Sequence, residues 1–249
     1  MKNDIALVTG AARRIGRDVA IKLSRAGFAI AAHFHSSKPE ADELIRQIRS
    51  EGGEAKAFGG DLRDWDFAAG LVEQVCAEFG RPNLLVNSAA LFLDDRAENF
   101  QRATWRAQFA VNLEAPVLLA QSFARALPSD ETGAIVNIVD QRVLRLTPQN
   151  FSYTLAKAAL WTATQTLAQA LAPRICVNAV GPGPTYPSVR QGRTGLNVES
   201  ANVPLEKAVT GAEIAEAALY LARAKSVTGV MLCVDGGQHL AWRTPDIVE

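Results

Sequence analysis

Cysteine is scarce in this chain. Three thiols, Cys76, Cys176 and Cys233, are scattered over 249 residues with no metal-ligand spacing. An odd, dispersed set excludes a disulfide framework and a zinc motif, so buried, reduced thiols of a cytoplasmic protein are expected, and no metal. An excess of charge is missing too: 26 Lys and Arg balance 26 Asp and Glu. The chain therefore lacks the electrostatic footprint of a nucleic-acid or anionic-membrane binder. Long hydrophobic runs are also absent. The N-terminal apolar run covers only 5–8, too short for a signal-peptide core, and no later run could span a bilayer. Nor is there a linker, an internal repeat or a low-complexity tract.

What remains is alternation. Short β-branched or aliphatic runs at 5–8, 29–34, 54–59, 83–87, 134–139, 174–180 and 230–235 read as strands. Amphipathic stretches lie between them, such as 17–27, where Val19, Leu23 and Ala26 fall at helical spacing. Several strands are apolar at nearly every position, as parallel strands covered on both faces must be. The pattern implies one Rossmann-type, doubly wound α/β domain over 1–249, with a seven-stranded parallel sheet and helices on both faces.

Gly10 and Gly16 sit directly after the first strand and at the start of the first helix. Glycine there lets backbone approach a pyrophosphate, and the helix N-terminus supplies free N–H groups. After the second strand, the carboxylate that would select NAD is missing. His33, Phe34, His35, Ser36, Ser37 and Lys38 stand there instead, and Arg13, Ser36, Ser37 and Lys38 would welcome a 2′-phosphate. Asp61 could accept from an adenine amino group or cap the next helix. Asn87, Ser88 and Ala89 end the fourth strand with small residues that leave room for a flat ligand. Tyr153 and Lys157 lie one helical turn apart, where an ammonium would favour the phenolate and lower the tyrosine pKa.

In order and spacing, these motifs resemble the short-chain dehydrogenase/reductase family from about residue 4 to residue 240. Asn112, the segment 180–185 and "TGVMLCVDGG" at 228–237 complete the match. The resemblance implies an oxidoreductase passing hydride between NAD(P) and a small-molecule substrate. Tyr153 would be the acid/base, Lys157 would hold the ribose and tune it, and Asn112 would support a water relay. The cofactor site would comprise Gly10, Arg13, Arg14, Ile15, Gly16, His35, Ser36, Ser37, Asp61, Leu62, Asn87, Ser88, Ala89, Tyr153, Lys157, Pro182, Gly183 and Thr185. Of these, Thr185 would contact the nicotinamide carboxamide. A homotetramer packed on the helices of Asn112 and Tyr153 is the family's usual assembly.

Two departures narrow the reading. The family's middle glycine of the first turn is Arg14, and its serine thirteen residues before the tyrosine is Asp140. Both resemble the pteridine reductase subgroup, which reduces pterins and folates with NADPH. Phe92 falls where that subgroup stacks an aromatic ring on the pterin, and 33–37 resembles its 2′-phosphate loop. Arg14, Phe92, Asp140 and Tyr153 would then touch substrate. Reducing C=N in a heterocycle needs a proton at ring nitrogen, which Asp140 could relay from Tyr153. A carbonyl substrate, such as a 3-oxoacyl thioester, and a non-catalytic NADP-binding protein are the other readings. Residues 186–204 are expected to form a mobile substrate lid.

Overall fold

The computed structural model describes residues 4–187 and 192–242. Strand β1 (Ile5–Val8) is buried at every position, and its register explains why. It lies between β2 (Ala29–Phe34) and β4 (Leu84–Asn87), so that Leu7 pairs with Ala31 on one side and Leu85 on the other. A strand flanked on both edges and covered on both faces has no place for a polar side chain. β3 (Ala55–Gly59), β5 (Gly133–Ile138), β6 (Ile175–Pro182) and β7 (Met231–Val234) complete the seven-stranded sheet. Its order is β3-β2-β1-β4-β5-β6-β7, and every pairing is parallel. All the expected strands form.

Helices α1 (Arg14–Arg25), α2 (Lys38–Ser50) and α8 (Gly211–Arg223) contribute to one apolar layer. There Val19, Leu23, Leu44, Ile48, Ile214 and Leu221 meet Val8 and Ile30 of the sheet. The opposite layer holds α3 (Trp65–Glu78), α5 (Ala115–Ala126) and α6 (Phe151–Leu171), with Leu71, Val75, Leu119, Phe123 and Ala168 over Leu7, Leu85 and Ile135. Each large side chain so buried is worth about 1.5–3 kcal/mol. Ala26 is the C-cap of α1 and only half-buried, so the buried face of that helix is Gly16, Val19, Ala20 and Leu23.

The reversal of strand order opens a crevice between the carboxyl ends of β1 and β4, the usual ligand position in such sheets. α4 (Arg102–Phe109) leads into a π-helical turn, Ala110–Glu114. Within the expected lid, α7 (Gly192–Ala201) is helical, so glycine and asparagine there do not prevent regular structure; residues 188–191 lie outside the described residues. No helix among the described residues is long and apolar enough to cross a membrane.

The cysteine expectation needs correction. All three thiols are free but only half-buried, and burial pushes Cys233 up to about 11. Linear spacing also hid a cluster: donor atoms of Cys233, Asp235 and His239 lie within 4.8 Å of one another. Asp235 already accepts from the amides of Gly237 (2.9 Å) and His239 (2.8 Å) and pairs with His239 Nδ1 at 2.7 Å.

His33, in β2, was unforeseen as a structural link. It is 2% exposed; its Nδ1 accepts from the Gly10 amide at 3.3 Å and its Nε2 lies 3.1 Å from the Gly60 carbonyl. Since the Gly10 amide needs an acceptor, the neutral ring carries its proton on Nε2. Desolvation lowers its pKa to about 4. Between that value and the unfolded pKa of about 6.5, only the unfolded chain binds this proton. The site's contribution is therefore full above pH 6.5 and is lost as pH falls toward 4, by roughly 3 kcal/mol. Urea unfolding at pH 7, 5.5 and 4.5 should show a shallower acid-side loss for His33→Gln than for the parent. Parallel profiles would contradict the assignment.

Candidate active site

The crevice begins at the turn after β1. Gly10 has φ 64, and a Cβ there would lie 2.8 Å from the Ala89 Cα, so glycine is required both by conformation and by close approach. Thr9 Oγ1 accepts from the amides of Ser88 and Ala89, each at 3.0 Å, locking the turn against the end of β4. The N-cap of α1, Arg13, makes no side-chain capping bond, and the first turn contains no acid. Its N–H groups thus meet the helix dipole with no carboxylate in the way, which fits a pyrophosphate. Ile15 is half-buried and Gly16 buried in the same first turn.

Arg14 replaces the glycine of the resembled family yet keeps a glycine conformation, φ 52. Left-handed backbone costs a non-glycine residue about 1–2 kcal/mol. Its guanidinium donates to the carbonyls of Tyr186 (3.2 Å) and Pro187 (3.1 Å) and lies 5.5 Å above the Tyr186 ring. Tyr186 in turn donates to the Asp18 carboxylate. Arg14 therefore bridges the glycine turn and the segment after β6. There Gly183 packs so tightly that a Cβ would lie 2.6 Å from the Asp235 Cα. Pro182 ends β6, and the Thr185 hydroxyl donates to the Gly183 carbonyl at 2.9 Å.

Beyond β2, the Ser36 and Ser37 hydroxyls take no partner among the described residues, leaving them open to an anion. The nearby cations are engaged: Arg13 pairs with Glu40, and Lys38 with Asp42 at 2.6 Å. His35 lies 3.6 Å from Asp61, whose carboxyl the Arg63 hydrogen bond holds below the usual range. Asp61 is not the helix cap that its position suggested. Asp64 caps α3, accepting from the amides of Asp66 and Phe67, while Asp61 closes its own turn on the Arg63 amide. Leu62 is buried beside it.

The chemistry converges past β5. Asp140 caps a short 3-10 turn, Gln141–Val143, its Oδ1 accepting from the Arg142 amide at 2.8 Å. Its Oδ2 accepts from the Tyr153 hydroxyl at 3.0 Å. Lys157 donates to the Ile138 carbonyl at 2.7 Å and lies 5.9 Å from the Tyr153 ring centre. The expected activation of the phenol by Lys157 is reversed here: burial and Asp140 raise Tyr153 well above its ordinary pKa. Burial also raises Asp140, opposed by the Arg142 amide and charge, and lowers Lys157 to about 8. A charged form costs more in this dry pocket than the nearby lysine recovers. The phenol is thus a neutral donor aimed at a carboxylate.

Phe92 is 48% exposed, and its ring stands edge-on to Tyr153 at 4.7 Å, 85° apart. The Arg142 guanidinium lies 6.0 Å from that ring, its buried Nε without a partner among the described residues. Asn112, in the π-helical turn, is fully buried. Its amide donates to the Leu91 carbonyl at 2.8 Å and accepts from the Leu91 amide at 3.2 Å. Its side chain thus clamps the loop that carries Phe92. The Asn87 side chain faces inward, donating to Asn137 at 2.8 Å, and Asn137 donates to Thr164 at 2.9 Å. Arg142 lies outside the expected site, its side-chain bonds to Thr147 and Gln149 local to its loop, whereas His33 is tied to Gly10 and Gly60, 23 and 27 positions away, a link invisible before folding.

Residues 10–239 match the family described as enoyl-(acyl carrier protein) reductase. The FolM alternative dihydrofolate reductase 1 of Brucella canis, solved in complex with NADP, superposes with a TM-score of 0.95 at 46% identity, covering 99% of this chain and 98% of that one. A blue fluorescent protein from a metagenomic library, solved with NADPH, gives 0.88 at 29% identity over 94% and 97% of the two chains. The 3-oxoacyl-[acyl-carrier-protein] reductase FabG of Staphylococcus epidermidis is 28% identical over 96% of this chain and all of its own.

If Asp140 raises the Tyr153 pKa, Asp140→Asn must lower it relative to the parent, since the repelling charge goes while burial stays. Ultraviolet difference titration, with Tyr153→Phe as the reference, reads that phenol separately from Tyr186 and Tyr220. An unshifted or higher transition would contradict the assigned coupling.

Proposed function

The chain belongs to the short-chain dehydrogenase/reductase family, and we propose that within it this protein reduces a C=N bond of a pterin or dihydropteridine. It is an NADP-dependent oxidoreductase with a small-molecule substrate. The observation that carries the finer reading is the 3.0 Å hydrogen bond from Tyr153 to Asp140. Carbonyl reduction needs one hydroxyl donor at the substrate oxygen. A donor that hands its proton to a half-buried carboxylate suits delivery to a ring nitrogen beside the accepting carbon.

What NADP(H) supplies when bound is the hydride. The free amides of the first turn of α1 hold the pyrophosphate, and Arg13, Ser36 and Ser37 receive the 2′-phosphate. Asp61 and Leu62 flank the adenine, and Asn87, Ser88 and Ala89 line the crevice floor. Lys157 holds the ribose, and Pro182, Gly183 and Thr185 wall the nicotinamide. Phe92 offers a flat face to the substrate ring, with Arg14 at its edge. Asp140 relays a proton from Tyr153 to nitrogen, and solvent returns the proton to Tyr153 through a water relay that Asn112 supports; Asn112 also keeps the Phe92 loop in register. The described parts of the expected lid, 186–187 and 192–204, cover the substrate.

The assembly we propose is a homotetramer joined through the helical stretch that contains Asn112, α4 and the π-helical turn after it, and through α6 with Tyr153. The support is an aromatic band in which Phe100 and Leu155 are exposed and Trp105 stacks on Phe109 at 4.6 Å. Free thiols suit the reducing cytoplasm, where we place it. The FabG relative favours the second reading, reduction of a 3-oxoacyl thioester, in which Tyr153 donates directly to oxygen.

NADPH should bind roughly tenfold or more tightly than NADH by fluorescence titration, with Arg13→Ala combined with Lys38→Glu narrowing or inverting the preference. Equal affinities in the parent would refute the 2′-phosphate assignment. Asp140→Ser should cost pterin reduction on the order of a hundredfold and leave reduction of a simple ketone intact or improved. A pterin-to-ketone ratio of kcat/KM that neither Asp140→Ser nor Asp140→Asn changes would favour the carbonyl reading.

A further inference from the structure

Helix α6, which carries Tyr153 and Lys157, lacks a local cap. Its N-cap, Asn150, is left-handed at φ 53 and ψ 55 and makes no side-chain capping bond. The Asn150 amide group instead donates to the Leu93 carbonyl at 3.2 Å. The first-turn N–H groups of a helix still need acceptors. One comes from 57 residues earlier: Asp95 Oδ1 accepts from the Ser152 amide at 3.0 Å. Asp95 Oδ2 accepts from the Ser152 hydroxyl, and the Asp95 carbonyl accepts from the Phe151 amide at 3.2 Å. Asp95 is 6% exposed and Ser152 fully buried. A carboxylate at this end also meets the positive pole of the helix.

The placement has a second consequence. Asp95 lies three residues beyond Phe92, and Ser152 immediately precedes Tyr153. The intervening Leu93 carbonyl also accepts from Gln108 Nε2 at 3.1 Å, and Leu91 is clamped by Asn112. The loop after β4 is thus tied down on both sides of Phe92, and one of those ties is the first turn of the catalytic helix. We infer that Asp95 is a positioning residue: through Ser152 it sets the Tyr153 hydroxyl against the Phe92 ring in one geometry. This rests on the reading that Tyr153 is the acid and Phe92 the substrate platform. Among the described residues Asp95 bonds to none of those assigned to the cofactor, so its effect should fall mainly on substrate turnover.

The test compares Asp95→Ala, Asp95→Asn, Ser152→Ala and the Asp95→Asn/Ser152→Ala pair. In Asp95→Ala, kcat/KM for a dihydropterin should fall roughly ten- to hundredfold, the scale of a misplaced catalytic group, with the NADPH Kd unchanged. Asp95→Asn should recover most of the loss, because its carbonyl can still accept from the Ser152 amide. If Asp95→Ala does not fold, Ser152→Ala carries the test, with a smaller loss that does not add to that of Asp95→Asn. Folded variants with the parent's kcat/KM, or an NADPH affinity that declines in step with turnover, would overturn the inference in favour of a purely structural cap. A parent that reduces only ketones would refute the pterin reading and leave the same comparison to be run on the ketone. A parent that reduces neither would refute the reaction; amide exchange then decides the coupling, since Ser152→Ala should deprotect 90–96 and 150–156 together. Unchanged exchange in the loop would sink it.

Discussion

A line of buried amide and hydroxyl groups joins the middle of the sheet to the helix that carries the chemistry. Asn87 of β4 donates to Asn137 of β5, Asn137 donates to Thr164 of α6, and Thr164 closes on the Leu160 carbonyl at 2.8 Å. Apolar packing alone would let a helix slide along a sheet at small cost, whereas a buried polar group that loses its partner is penalised. This line fixes the axial position of α6, and so where Tyr153 and Lys157 stand relative to the end of β5. Everything assigned to the site depends on that register.

Once α6 is in place, burial decides the electrostatics. Desolvation disfavours the charged form of each of Asp140, Tyr153 and Lys157, and the hydrogen bonds settle what remains. Lys157 is held by the Ile138 carbonyl and the phenol by Asp140. The Arg142 amide and charge keep Asp140 from drifting as high as burial alone would drive it. The outcome is a neutral donor beside an acceptor that is neither strongly basic nor free.

The fold was legible because its signals are local. Strand runs apolar at every position, a glycine turn directly after the first of them, and a tyrosine and lysine one helical turn apart each declare themselves within a few residues. The misreadings came where a partner lies far away or where burial sets the sign. Asp61 and Asp64 are equally good helix caps by type, and only the start of α3 chooses between them. Tyr153 beside Lys157 suggests a lowered pKa until the depth of the pocket is known. His33 looked like part of a polar turn because its partners, the Gly10 amide that donates to it and the Gly60 carbonyl that accepts from it, come from other strands' ends. The bond from Ser152 to Asp95 spans 57 positions and has no periodicity to betray it.

Arg14 sets stability against function at a single backbone position. Its left-handed φ of 52 is one that glycine adopts freely and arginine does not. Selection for thermal tolerance alone, or a consensus drawn across the wider family, would therefore drift toward glycine there. The gain would come with the loss of the only side chain that reaches from this turn to the carbonyls of Tyr186 and Pro187 among the described residues. An arginine in a glycine's conformation accepts a backbone cost in exchange for the reach of its guanidinium.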